Sequence, residues 1–228
     1  MYKNFFYYKI LLGVFLLFSF KVFAHIEHHK NLESLKFDIY RNNNFIGTHI
    51  FEFTKKNNLL SVKSIIDFQI KKFGVVLYKY HAEGIEVYRD NKLISFNSKT
   101  KQNKKNKFCN IKFTDNKLFI DGSSYKGIAS TDFPIGTWWN HEIINAKAQI
   151  SAISGRIIYQ KVNFLGKEKI ELNGVLFNTL HFNFSSTDEK LSKDKKLNTD
   201  VWYDAKTLMW VKATFNKTGF WEYKLKNF

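Results

Sequence analysis

The stretch Val75–Phe96, VVLYKYHAEGIEVYRDNKLISF, constrains the fold most, because it can be read in only one regular way: a strand, a tight polar turn at Asp90-Asn91 and a second strand. Val76, Tyr78, Tyr80 and Ala82 alternate onto one face. If Gly84 marks a bulge, that face continues on Ile85 and Val87, and a two-residue turn sets Val87 opposite Ile94 and Ile85 opposite Phe96. A hairpin of this length needs neighbours on both sides, which predicts the centre of an antiparallel sheet.

The rest of the chain supplies such neighbours. Leu35, Phe37 and Ile39 alternate with polar residues, a turn follows at Asn42–Asn44, and strands are predicted over 45–54 and 59–70. Further strands are expected over 107–113, 117–121, 155–165, 167–172, 175–186, 199–204, 208–215 and 220–226. After the only proline, Pro134, the alternation lapses, and Trp138, Trp139, Ile143 and Ile144 are spaced for one or two helical turns, capped near Thr137. The expected fold is mainly β: a curved antiparallel sheet, or an open or partly closed barrel, of about ten to twelve strands with one short helix over 137–145. The aromatic content of 18% suits such a core, and the same architecture incompletely filled would enclose a cavity.

Residues 1–24 read as an export signal: Lys3 and Lys9, an apolar stretch from Ile10 to Phe20, then Val22-Phe23-Ala24 as a cleavage site after Ala24. The apolar stretch is well short of the roughly 20 residues that span a bilayer, so no transmembrane span is expected after cleavage, and a periplasmic location follows. Residues 25–34 read as a flexible His-containing tail and 35–228 as one β domain. The formal charge of +16 would suit an anionic surface. Arg41, Arg89 and Arg156 are the only arginines, which argues against nucleic acid as a partner. Cys109 is the only cysteine, so no internal disulfide can form; it sits in an alternating apolar run as an inert thiol.

Chemistry-bearing residues are sparse. His49 lies among aromatics and is either a core histidine or a pocket ligand; with Tyr78, Tyr80, Trp138 and Trp139 it forms the candidate surface for an apolar ligand. His81 and Glu83 share a strand face that Glu86 would join after a bulge, a candidate polar site or simply a solvated group. His25, which carries the free α-amino group after cleavage, and His28 and His29 are weak candidate metal ligands. No phosphate-cradling loop, HExxH or serine elbow is present, so no catalytic residue and no cofactor is assigned.

The succession KFDIYRNNNFIGTHIFEF, YKYHAEGIEVYRDNKLISF, TWWNHEI and DVWYDAKTLMWV resembles an exported bacterial family, domain-of-unknown-function family 6134, with family 3108 as a relative. The residues carrying the resemblance are Gly47, His49, Tyr80, His81, Glu86, Trp139, Asn140, Trp202, Tyr203 and Asp204; Tyr88 stands where tryptophan is expected, and Asn91 replaces a turn glycine. The resemblance implies architecture and export and leaves the chemistry open. Three function classes remain: an exported binding or carrier protein for a lipid or other amphiphile, a cell-envelope interaction or scaffold protein, and an enzyme.

Overall fold

The computed structural model describes residues 32–228. The expected leader, and with it His25, His28 and His29, lies outside the described residues. Fourteen strands follow: β1 Ser34–Arg41, β2 Asn44–Lys56, β3 Leu59–Lys72, β4 Val75–Arg89, β5 Lys92–Gln102, β6 Lys105–Thr114, β7 Lys117–Gly122, β8 Lys126–Ala129, β9 Ala148–Ile150, β10 Ile157–Leu172, β11 Val175–Ser186, β12 Asn198–Asp204, β13 Trp210–Asn216 and β14 Phe220–Asn227. Two of these exceed the sequence expectation, because β8 and β9 are too short to carry a visible alternation, while the expected break at Gly166 is a bulge within β10. Leu32, within the stretch 25–34 read as a tail, packs on the core.

All fourteen strands form one antiparallel sheet in the order β8-β7-β6-β5-β4-β3-β2-β1-β14-β13-β12-β11-β10-β9. Two meanders are thus joined where β1 pairs with β14. Residues 130–147 must then cross from one edge of the sheet to the other, and they do so over its concave face. There Gly136 N–H donates to Ile150 O (2.9 Å), Ile150 N–H to Pro134 O (2.8 Å), and Ser124 N–H to Ser154 O (2.9 Å). A cluster of Phe96, Cys109, Ile111, Ile120, Ile135 and Ile150 fills the seam, so packing rather than a strand ladder brings the two edges together. Gly122 shows how close this approach is, since a Cβ there would lie 2.4 Å from Ser154 O. Cys109 is buried in the same cluster, and burial pushes its thiol up to about 12, as befits an inert residue.

Two details of the expected hairpin are corrected. Gly84 is not a bulge: it pairs in unbroken register with Ser64 and Ser98 and lies beneath Phe96, whose ring carbon would be 3.1 Å from an added Cβ. The register shifts instead between Val87 and Tyr88, so Val87 faces Ser95 and Glu86 faces Phe96. The inward face of β4 is therefore Tyr80, Ala82, Gly84, Glu86 and Tyr88, and Ile85 points to solvent. The helix is also shorter than expected: a 3₁₀ turn, His141–Asn145, whose N-cap is Asn140, its side chain accepting from Glu142 N–H (3.1 Å). Trp138 and Trp139 precede it. Among the described residues no helix is long and apolar enough to cross a membrane.

Candidate functional site

The concave face has two ends. The turns at 57–58, 90–91 and 115–116 mark the lower end, and those at 42–43, 73–74 and 103–104 the upper. The lower end is filled. Trp139 is fully buried there, edge-on to Phe53 (5.4 Å between ring centroids) and Tyr88 (5.7 Å). Beside it the Glu86 carboxylate accepts from Thr137 Oγ1 (2.8 Å), Trp139 Nε1 (2.9 Å) and the Tyr88 hydroxyl. Burial holds this carboxyl above its usual range, although the three donors pull the other way. Glu86 thus ties the crossing segment to the floor of the sheet, a role hidden by the assumed bulge.

The upper end is hollow, with a cavity of about 660 Å³. Its origin is a run of small side chains in register: Ser64, Gly84 and Ser98 face one another across β3, β4 and β5, and Ala82 lies between Ile66 and Thr100. Three neighbouring strands thereby withhold volume at the same height, and the crossing segment cannot sink in to replace it. Phe96, Ile153, Ile158, Phe215 and Tyr223 contribute the apolar walls. Trp138 closes one side, edge-on to Trp210 (5.4 Å) and Tyr223 (6.2 Å).

Trp138 and Trp139 are parted by backbone, not by helical geometry. Trp139 N–H donates to Thr137 O (2.8 Å) across Trp138, whose φ is +58°, a γ-turn conformation that L residues seldom adopt. One indole is thereby sent into the filled end and the other to the cavity wall. The Tyr203 hydroxyl fixes this turn by donating to Trp138 O (3.0 Å).

His49 is buried and lines the cavity, its Nε2 hydrogen-bonded to Ser64 Oγ (2.9 Å). Burial lowers its pKa to about 3 and so keeps the ring neutral. A serine beside a histidine suggests a nucleophile and base, but among the described residues Nδ1 has no hydrogen-bond partner, and so no carboxylate there to stabilise an imidazolium. A base with so low a pKa accepts a proton poorly at neutral pH.

Of the side chains expected to face an apolar ligand, His49, Tyr80 and Trp138 line the cavity. Trp139 belongs to the filled end, and Tyr78 packs on Phe68 (6.0 Å) away from the cavity. The expected polar group is assembled only in part: His81 and Glu83 meet, and Glu86 stands apart. His81 sits on the outer face between Asp67 (2.8 Å) and Glu83 (3.2 Å), the Asp67 hydrogen bond raising its pKa, whereas Glu86 points inward. Among the described residues no three His, Cys, Asp or Glu side chains gather as a metal site.

Sequence reasoning missed the cavity mouth. It lies at the upper end, where Arg156, Lys193, Lys195, Lys196 and Lys217 line it. The connection 188–198 is fastened over this mouth: Arg156 Nη2 donates to Lys195 O (3.1 Å), Ser186 N–H to Leu197 O (2.9 Å), and Leu197 N–H to Ser186 Oγ (2.7 Å). Asp194 is one of three acids in this connection, with Asp188 and Glu189, and its pKa is held down by Ser192 and the nearby lysines.

The model of a domain of unknown function, DUF6134, matches residues 37–226. A crystal structure described as a β-barrel-like protein of domain of unknown function DUF1849 from Brucella abortus aligns with a TM-score of 0.60 at 10% identity, covering 85% of this chain and 95% of that chain. A DUF1329 family protein from Desulfovibrio piger aligns over 85% of this chain and 82% of its own at 11% identity, but its TM-score of 0.21 carries no structural argument. No curated protein matches.

Proposed function

The chain belongs to the DUF6134 family, which has no assigned activity, and from its cavity we propose that it is an exported binding or carrier protein for a single-chain amphiphile. The carrying observation is the hollow upper end: about 660 Å³ falls within the roughly 300–1,000 Å³ typical of small-molecule sites. Apolar walls receive the tail. Arg156, Lys193, Lys195, Lys196 and Lys217 at the mouth favour an anionic head group. Export rests on the leader-like pattern of residues 1–24.

The test is a titration of residues 25–228 with a fluorescent fatty acid and, in parallel, its methyl ester. Saturable binding of the acid at about one per chain, with a dissociation constant on the order of micromolar, is expected. The neutral ester should bind more weakly, and salt should narrow the difference. Absence of binding by either probe would remove the proposal.

A further inference from the structure

The strands β3 and β4 outrun their neighbours at the upper end. β2 pairs with β3 only as far as Phe68, and β5 pairs with β4 only from Tyr80, so residues 69–79 form a two-stranded arm. The tip of this arm exposes apolar side chains on both faces: Phe73 is 93% exposed, Val75 62%, Val76 47% and Leu77 56%. Solvation cannot account for such a run, since exposed consecutive apolar residues normally have a partner.

Turn chemistry makes the same point. The other two-residue turns between paired strands open on Asn42, Asn57, Asp90, Asn103, Asp115 and Asn173, all at positive φ, where Asn and Asp are the side chains best tolerated. At the arm the equivalent residue is Phe73, with φ +50°, followed by Gly74. A bulky aromatic is thus held in an unfavourable conformation at the place where this chain otherwise uses a polar residue, and it projects into solvent.

The surroundings name the partner. Residues 71–79, KKFGVVLYK, and 99–107, KTKQNKKNK, contain no acid. The two tips are tied together by Asn103 N–H donating to Lys79 O (2.8 Å) and Lys79 N–H to Asn103 Oδ1 (2.7 Å). Lys72 Nζ stands 5.5 Å from the Phe73 ring centroid. An apolar wedge ringed by lysines complements an anionic membrane surface, with the wedge among the acyl chains and the ammonium groups at the phosphates. The cavity mouth opens at the same end of the sheet.

We propose that the β3–β4 arm docks the protein on an anionic lipid bilayer by inserting Phe73, Val75, Val76 and Leu77 between head groups. This contact is independent of what the cavity holds. Flotation of residues 25–228 with phosphatidylcholine vesicles, with and without phosphatidylglycerol, tests it. Binding to the anionic vesicles is expected, weakening as salt is raised. The pair Phe73→Asn and Leu77→Ser should reduce that binding by roughly tenfold or more while leaving the melting temperature unchanged or slightly raised. Lys71→Glu with Lys72→Glu should do the same, whereas Lys92→Glu with Lys117→Glu, an equal charge change at the lower end, should have little effect. Failure of the wild type to float, or equal losses from both lysine pairs, overturns the inference. So does dimerisation abolished by Phe73→Asn with vesicle binding intact, because the arm would then dock on a second copy.

Discussion

The two ends of the concave face use the same materials to opposite effect. At the lower end Trp139, Phe53 and Tyr88 pack without a gap, and Glu86 accepts hydrogen bonds from three donors. At the upper end equally large aromatics, Trp138, Phe96 and Tyr223, stand around a hollow because Ser64, Gly84, Ala82 and Ser98 lie between them. Aromatic content therefore does not distinguish core from cavity in this chain. What distinguishes them is the size of the residues at matched register positions, together with whether a buried polar group has all its partners. A filled, satisfied end resists change and holds the crossing segment; a hollow end can accept a ligand without first unpacking.

The largest expected effects fall on the filled end. Trp139→Ala should cost about 3–5 kcal/mol, as for other fully buried aromatics, and should lower the melting temperature whether or not a ligand is present. Glu86→Ala strands the Thr137, Trp139 and Tyr88 donors and should cost on the order of 3 kcal/mol, whereas Glu86→Gln keeps an acceptor and should cost far less. Wild type also separates from both variants by pH, since neither alanine nor glutamine titrates. Because burial raises the folded-state pKa of Glu86 above its ordinary value, the stability gained from protonation is fully present below that ordinary value and is lost as pH rises through the folded pKa. Denaturant unfolding should thus show wild type gaining on Glu86→Gln as the solution is acidified. Equal penalties for Ala and Gln would break the claim that hydrogen-bond satisfaction distinguishes this end.

The hollow end should be the acid-sensitive one. His49 stays neutral in the folded protein down to about 3, whereas the unfolded chain takes up the proton near 6.5. Stability from this residue is present above 6.5 and falls as pH drops toward 3. By pH 4.5 the loss should reach about 2–3 kcal/mol at 1.36 kcal/mol per unit. His49→Gln removes the titrating group and should flatten that part of the curve. An unaltered slope would mean that the ring is not held in the desolvated environment seen here.

Much of the fold could be read from the chain because alternation and turn residues are local signals. The turns expected at Asn42–Asn44 and Asp90-Asn91 exist as hairpin turns, and the alternation of Leu35, Phe37 and Ile39 announced an inward face that is buried. The site was far less legible, since its cavity depends on which small residues share a height across three strands. Treating Gly84 as a bulge moved Glu86 to the wrong face and broke up the row of Ser64, Gly84 and Ser98. Glycine there serves the close approach of Phe96, a need visible only once β5 is placed. The cationic mouth was missed for a related reason: Arg156, Lys193 to Lys196 and Lys217 come from three separate loops, and each alone looks like a solvated turn.

The smallest effect on stability, and the most informative about binding, should come from Trp138. Its indole borders empty space on one side, so truncation removes fewer contacts than at Trp139, and the loss should be about 1 kcal/mol from its edge-on packing with Trp210 and Tyr223. Trp138→Ala keeps the same backbone demand at φ +58°, which separates the side chain from the turn. Trp138→Gly relaxes that demand and, by removing the same indole, should recover part of the stability while binding remains impaired. Fluorescent fatty-acid affinity should fall roughly tenfold in both variants, because the wall against which the tail packs has been withdrawn. If Trp138→Ala instead destabilises the protein as much as Trp139→Ala, the two tryptophans belong to one continuous core. The hollow end would then be a packing feature of the fold rather than a place for a ligand.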